Sequence, residues 1–444
     1  MKKLLIAIPI ILIIITGFIF DKNNNRSSTN TNNNATTVNF DDYFISKSLR
    51  VDYLLSGNAK EENVSLNKLN QEPYWGGPKK NLIDKFNYGT YRIRVLDSVS
   101  NKLIYSYGFC TLFQEWQTTA EAKKIKRSFY QTSIFPYPKK TVRFEIDKRA
   151  YKDGKFYKIF ELYINPNNYF INKEKPKYYK SNKIIYSGDP SNHVDIAFVA
   201  EGYTKDEMTK FNDDVKRIAG YFFNASPYNK YKDRFNIYAI ESASEESGTD
   251  IPGKGVYKNT IINSNFYTFD IDRYLTTFDT KSFRDIAANV PYDQIYILIN
   301  TKKYGGGGFY NHYTACSSDN RLTPSVCIHE FGHGFAGLAD EYYTSDVAYE
   351  DFYNLKVEPW EPNITTLVNF NSKWKNMINK NTPTPTPRTN EYENKVGVFE
   401  GGGYVAKGVY SPYQNCRMKS NQAELCPVCQ QAISKMIEFV CDKQ

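Results

Sequence analysis

Between residues 39 and 170 apolar and polar positions alternate over short runs separated by polar turns. The clearest runs are Leu49-Arg-Val-Asp-Tyr-Leu-Leu55, Tyr91-Arg-Ile-Arg-Val-Leu96, Lys102-Leu-Ile-Tyr-Ser-Tyr107 and Thr141-Val-Arg-Phe-Glu-Ile146. A period of two sends successive side chains to opposite faces, so each run predicts a half-buried strand, and strands at this spacing predict a β-sandwich. Residues 171–190, with Lys173-Glu-Lys-Pro-Lys177 and Gly188-Asp-Pro-Ser-Asn192, read as a linker.

From His193 the pattern changes. Val194 to Ala200 and Gln294 to Ile299 are near-continuous apolar runs, and Phe235 to Ile240 is a third strand. Thr204-Lys-Asp-Glu207 is a capping box, in which the first and last side chains satisfy each other's backbone N–H groups and open a helix. Met208, Phe211, Val215, Ile218 and Phe222 then recur at helical spacing and predict its core face. Val428, Ala432, Met436 and Val440 do the same for a C-terminal helix. Strands alternating with helices predict an α/β second half, so the expectation is an α+β two-domain protein, with a β-sandwich at 39–175 and an α/β domain at 186–444.

The first 38 residues fit neither pattern. Lys2 and Lys3 precede an unbroken apolar stretch from Leu4 to Phe20, followed by a polar run from Asp21. This reads as an export segment at 1–20 with a disordered tether at 21–38. Seventeen apolar residues are close to the shortest bilayer span, no small-x-small cleavage site follows them, and no Cys stands directly after Thr16-Gly17 to take a lipid. An uncleaved membrane anchor is therefore the first expectation and a cleaved, secreted form the second. Contact with the membrane is expected through this segment alone.

Composition narrows the function classes. The 444 residues carry 57 Lys and Arg against 48 Asp and Glu, a formal charge of +9 without a recognisable reading module, which argues against nucleic acid as a partner. A content of 41% hydrophobic and 24% charged residues excludes a disordered or fibrous chain. Seven cysteines lie mostly in the last third. Cys426-Pro-Val-Cys429 could be a redox pair or half of a zinc knuckle, but no second such pair and no partner His lies nearby, so its expected role is structural.

Only four histidines occur in the chain, and two of them stand in His329-Glu330-Phe331-Gly332-His333. At about 100° per residue, positions i and i+4 return to one helix face, so both imidazoles can bind one ion while Glu330 stands beside it. A catalytic zinc ion takes three protein ligands and leaves a position for water. Gly337 can adopt φ > 0, end the helix and turn the chain back, which brings Asp340 round as the expected third ligand. Glu341 and His312 are the alternatives.

The stretch from His329 to Tyr343, HEFGHGFAGLADEYY, resembles the immunoglobulin A peptidase family of bacterial zinc metalloproteases, a metzincin-like group. Phe113-Gln-Glu-Trp-Gln-Thr-Thr-Ala120 and Phe135-Pro-Tyr-Pro-Lys139 are similar to that family's N-terminal domain. Tyr304-Gly-Gly-Gly-Gly-Phe309, Thr382-Pro-Thr-Pro-Thr-Pro387, Gly408-Val-Tyr410 and Asn415-Cys-Arg-Met-Lys-Ser420 are similar to its catalytic domain. The chain departs from the wider metzincin pattern HExxHxxGxxH: three residues separate His333 from Gly337, and Ala339 stands where a third His would be. The resemblance implies a metzincin-like α/β zinc peptidase domain with a twisted mixed sheet. It implies that Met418 sits in a tight turn beneath the histidines, and that glycines 305–308 form an edge strand over the cleft that pairs with substrate.

These readings converge on an exported, monomeric Zn2+-dependent endopeptidase in which Glu330 activates a metal-bound water and His329, His333 and Asp340 hold the metal. The partner is a protein or peptide, and the family name points to immunoglobulin or another glycoprotein. The alternative is a non-catalytic surface protein, an adhesin or glycan binder, that keeps a zinc site. Glu330 argues against it, since a purely structural site has no use for a base there.

Overall fold

A computed structural model describes residues 38–343 and 353–441. The export segment at 1–20 and the tether at 21–38, all but the buried Val38, lie outside the described residues. No helix among the described residues is long and apolar enough to cross a membrane.

Among the described residues, the first half holds seven strands and two short helices, α1 (Phe40–Tyr43) and α2 (Leu112–Trp116). The strands are β1 (Phe44–Gly57), β2 (Glu62–Glu72), β3 (Tyr91–Asp97), β4 (Leu103–Phe109), β5 (Arg127–Pro138), β6 (Val142–Arg149) and β7 (Phe156–Ile164). They form two antiparallel sheets, ordered β2-β1-β5 and β4-β3-β6-β7. Val51, Tyr53 and Leu55 of the first sheet share a core with Ile93, Val95 and Phe144 of the second. The rings of Phe135 and Phe144 stack across it with centroids 5.8 Å apart.

The second half is built on a six-stranded mixed sheet ordered β12-β13-β11-β9-β10-β8. Its strands are β8 (Ser181–Tyr186), β9 (Val194–Glu201), β10 (Phe235–Ile240), β11 (Gln294–Ile299), β12 (Gly306–Phe309) and β13 (Tyr313–Ser317). The four inner strands run parallel, and β8 and β12 close the two edges antiparallel. The long helices are α3 (Met208–Asn224), α4 (Thr280–Ala287), α5 (Thr323–Ala336) and α6 (Pro427–Cys441), and a hairpin joins β14 (Phe399–Gly402) to β15 (Val405–Ser411). The linker expected at 171–190 is thus corrected over Ser181–Tyr186. Ile184 and Ile185 pack against the core, and the segment pairs with β10.

Alternation along the buried strands assigns the two faces of this sheet. Ile196, Phe198 and Leu298 point to α3, α5 and α6, whereas Ala197, Val199 and Ile297 belong to the core that also holds Phe283 of α4 and the first half's Val51 and Phe144. One hydrophobic cluster therefore runs through both halves. A buried ion network crosses the same boundary: Arg50 reaches Asp52 at 2.8 Å, Glu72 at 3.0 Å and, on α4, Asp285 at 2.6 Å.

Candidate active site

Helix α5 carries the first residues of the site. Its buried face, Cys327, Ile328, Phe331 and Phe335, packs into the core, where Phe331 meets Phe222 of α3 edge-on at 5.1 Å. That anchorage turns His329, Glu330 and His333 to the opposite side, where all three line a pocket of about 120 Å³. The helix ends at Ala336, and Gly337 takes the left-handed conformation at φ 63°. Its N–H bonds the carbonyl of His333, the N–H of Leu338 bonds that of Gly332, and the chain reverses.

The reversal brings Asp340 to the histidines. Its Oδ1 lies 3.1 Å from His329 Nε2 and 3.4 Å from His333 Nε2, and the two Nε2 atoms are 3.1 Å apart. Atoms bound tetrahedrally at about 2.0–2.1 Å to one zinc ion stand about 3.3–3.4 Å from one another, so this triangle fits such an ion. The outer partners fit as well. His329 Nδ1 donates to the Arg417 carbonyl at 2.9 Å and His333 Nδ1 to the Leu338 carbonyl at 2.6 Å, which leaves both Nε2 lone pairs for a metal. Tyr404 donates to Asp340 Oδ2 at 2.5 Å, while the buried Oδ1 has no hydrogen-bond donor from the scaffold.

The electrostatics point the same way. Burial pulls His333 down, yet the Asp340 carboxylate overrides it and raises the imidazole to about 9. Burial likewise works against Asp340, but His333 and His329 hold it well below the usual carboxylate range. The three side chains together favour a positive charge among them, which a divalent cation supplies more strongly than a proton. Glu330 is pushed up by burial, against the pull of the two histidines, toward the range of a working base.

Of the alternatives to Asp340, neither lies with the histidines. His312 is buried among Phe283, Phe309 and Tyr313. Glu341 points the other way, into a group of buried cysteines. Met418 is fully buried below α5, its Sδ 3.1 Å from where a Cβ on Gly332 would stand.

The glycines at 305–308 act chiefly by close approach. A Cβ on Gly306 would come within 2.8 Å of Glu330 Cγ and Oε1, and one on Gly308 within 2.2 Å of the Glu330 carbonyl oxygen. Only glycine lets β12 press onto α5. The outer edge of β12 is partly occupied at Gly306, whose carbonyl accepts from Leu275 N at 3.3 Å, so the expectation of a free edge strand is corrected at that residue.

Several pocket residues escaped the sequence reading. Arg273, Tyr274 and Tyr404 line it from stretches of chain without a motif of their own, and Glu115, Tyr304 and Tyr342 line it from within the motifs quoted above, where nothing singled them out. Beside it opens a cleft of about 660 Å³, lined by His333, Asp340 and Trp360 from the second half and by Glu62, Gln114 and Lys148 from the first. A family model described as IgA Peptidase M64 matches residues 183–393 and 388–437, and one described as Peptidase M64 N-terminus matches residues 39–161. No curated protein matches the chain.

Proposed function

Because the chain belongs to the IgA peptidase family and is a peptidase, with protein or peptide as substrate, we propose that it is an exported zinc endopeptidase acting as a monomer on extracellular protein or glycoprotein. The observation that carries the reading is the triangle of His329 Nε2, His333 Nε2 and Asp340 Oδ1, with Glu330 in the same pocket. In this proposal those three residues hold the metal. Zinc, when bound, supplies a Lewis acid that makes water a better nucleophile and the scissile carbonyl a better electrophile. Glu330 takes the proton from the attacking water and returns it to the leaving amine. Arg273, Tyr304 and Tyr342 line the same pocket and supply the donors for charge developing on the carbonyl oxygen.

The paired sheets of the first half would form a β-sandwich that positions substrate, since Glu62, Gln114 and Lys148 share the long cleft with His333 and Asp340. The second half would be metzincin-like, with Met418 as the residue of the turn beneath the histidines. The apolar stretch Leu4–Phe20 would export the chain and hold it at the membrane, or be removed to release it. Digestion of a proteome-derived peptide mixture by the purified protein tests the activity. Cleavage abolished by a chelator and restored by zinc is expected. Cleavage that persists after the metal has been stripped to background refutes the proposal.

A further inference from the structure

Behind the pocket, on the far side of the Asp340–Glu341 peptide, lies a second convergence of ligand atoms. The Glu341 carboxylate and the Sγ atoms of Cys416, Cys426 and Cys429 all lie within 4.8 Å of one another, and all four residues are buried. Three separate stretches of chain supply them: the segment after α5, the turn at 416–418, and the start of α6, with Cys426 just before the helix and Cys429 in its first turn.

We propose that this cluster is a closed, structural metal site, in which Cys416, Cys426, Cys429 and Glu341 bind one zinc-class ion distinct from that of the peptidase centre. The spacing is that of a tetrahedron rather than of a disulfide. Sulfurs about 2.3 Å from a common ion stand about 3.8 Å apart, and a thiolate and a carboxylate oxygen about 3.5 Å apart. Cys416 Sγ and Cys429 Sγ are separated by 3.7 Å, and Cys429 Sγ and Glu341 Oε1 by 3.3 Å. A disulfide would need about 2.05 Å, and no cysteine among the described residues is paired.

A second observation points to a ligand. Glu341 is wholly buried, and its Oε2 has no hydrogen-bond partner. A carboxylate in that position needs a cation or a donor, because burying it unpaired is costly. The other oxygen, Oε1, is held by Asn363 Nδ2 at 2.9 Å. Asn363 also bonds the N–H of Ala339 at 2.7 Å and its carbonyl at 2.9 Å, which fixes the aim of the segment. Backbone N–H groups are set to steady thiolates: Cys426 N points at Cys416 Sγ at 3.3 Å and Cys429 N at Cys426 Sγ at 3.5 Å.

Three soft thiolates with one hard oxygen suit zinc among the abundant divalent metals. On ligation each thiol, and the buried Glu341 carboxyl, gives up to solvent whatever proton it holds. Three thiolates and a carboxylate on one divalent ion leave two negative charges, and Lys419 and Arg388 stand close enough to act on Glu341. With four protein ligands no position remains for water, so the site is closed to catalysis. Its place gives it a bracing role. Glu341 follows Asp340 directly, and Cys416 precedes Arg417, whose carbonyl holds His329.

Zinc content and zinc-edge X-ray absorption of the purified protein test this, whether or not it cleaves peptides. The parent should hold two zinc ions per chain. The double variant His329→Ala, His333→Ala should keep one, ringed by three sulfurs at about 2.3 Å. Cobalt in that variant should give the thiolate charge-transfer absorption. Glu341→Gln and Cys426→Ser should lower the sulfur-bound metal while folded, as judged by circular dichroism. No metal in the double variant, a metal there with only nitrogen and oxygen neighbours, or a Cys416–Cys429 disulfide in the parent would overturn the site. Should the peptidase reading alone fail, one sulfur-bound ion would still be found in the inactive parent.

Discussion

The N–H of Glu341 donates to the carbonyl oxygen of Met418 at 2.7 Å. This single bond joins the segment that delivers Asp340 to the turn that underlies α5. The neighbouring residue of that turn, Arg417, holds His329 through its own carbonyl at 2.9 Å. Displacement of the turn would thus move two of the three proposed ligands at once, the one through the backbone and the other through its ring.

Glu330→Gln should keep its metal and lose peptidase activity by at least about 100-fold, the scale of a lost general base. The amide keeps the shape of the side chain in a pocket already tight against Gly306, but it cannot accept the proton from water. Activity within tenfold of the parent, at equal zinc content, would remove Glu330 from the role.

Asp340→Ala should cost most of the affinity of the peptidase centre for zinc, and Tyr404→Phe a smaller part, about 10-fold to 100-fold, because Tyr404 orients the carboxylate from Oδ2 without touching the metal position. His312→Ala should leave metal content unchanged, since its ring lies among Phe283, Phe309 and Tyr313. Competition with a zinc-binding dye gives the three affinities side by side, and equal losses in Asp340→Ala and His312→Ala would defeat the assignment.

What could be read before folding was whatever is local. The i, i+4 pair of histidines, the Glu between them and the reversal at Gly337 all follow from helix geometry over nine residues, and α5 ends where that geometry requires. Strands whose two faces differ, such as β1 and β3, were legible for the same reason. β2 was not, because its exposed Asn, Lys and Ser positions carry little alternation and its ladder to β1 holds it in place. The cysteine group was beyond reach too. Cys426 and Cys429 were visible as a pair, but their companions Cys416 and Glu341 meet them only once the 416–418 turn and the end of α5 have packed together. Tyr404 reaches Asp340 by the same kind of long-range encounter.

Gly308→Ala should abolish activity and destabilise the protein by about 1–3 kcal/mol, the usual cost of overpacking. The added methyl would meet the Glu330 carbonyl at 2.2 Å and His333 Cβ at 3.0 Å, and helix backbone cannot yield as a flexible side-chain tip does. Gly220→Ala on α3, where nothing lies within 4 Å of the new Cβ, is the control and should stabilise by up to about 1 kcal/mol. Denaturant titration of both variants checks the contrast, and a Gly308→Ala protein as stable and active as the parent would show that β12 does not need to touch α5.

Stability should fall as the solution is made more basic across the range where two carboxyls at the central sheet titrate, Asp195 buried and Asp293 half-buried. Asp195 at the start of β9 and Asp293 just before β11 are joined by two bonds: Asp195 N to Asp293 Oδ2 at 2.8 Å, and Asp293 N to the Asp195 carbonyl at 2.9 Å. Burial pushes Asp195 up to about 8, and burial followed by the Asp195 charge raises Asp293 well above the usual carboxylate range. The folded protein therefore holds these protons above about pH 4, where an unfolded chain has released them. A group whose folded value is raised contributes stability that is complete below the unfolded value and is lost as pH climbs through the folded one. The pair should cost the fold on the order of a few kcal/mol between about pH 4 and pH 8. Asp293→Asn keeps an acceptor for Asp195 N and removes one of the two charges, so its stability should decline less steeply over the same interval. Denaturation midpoints of parent and variant at matched pH values provide the comparison, and parallel curves from pH 4 to pH 8 would show that the two carboxyls do not hold their protons in the folded state.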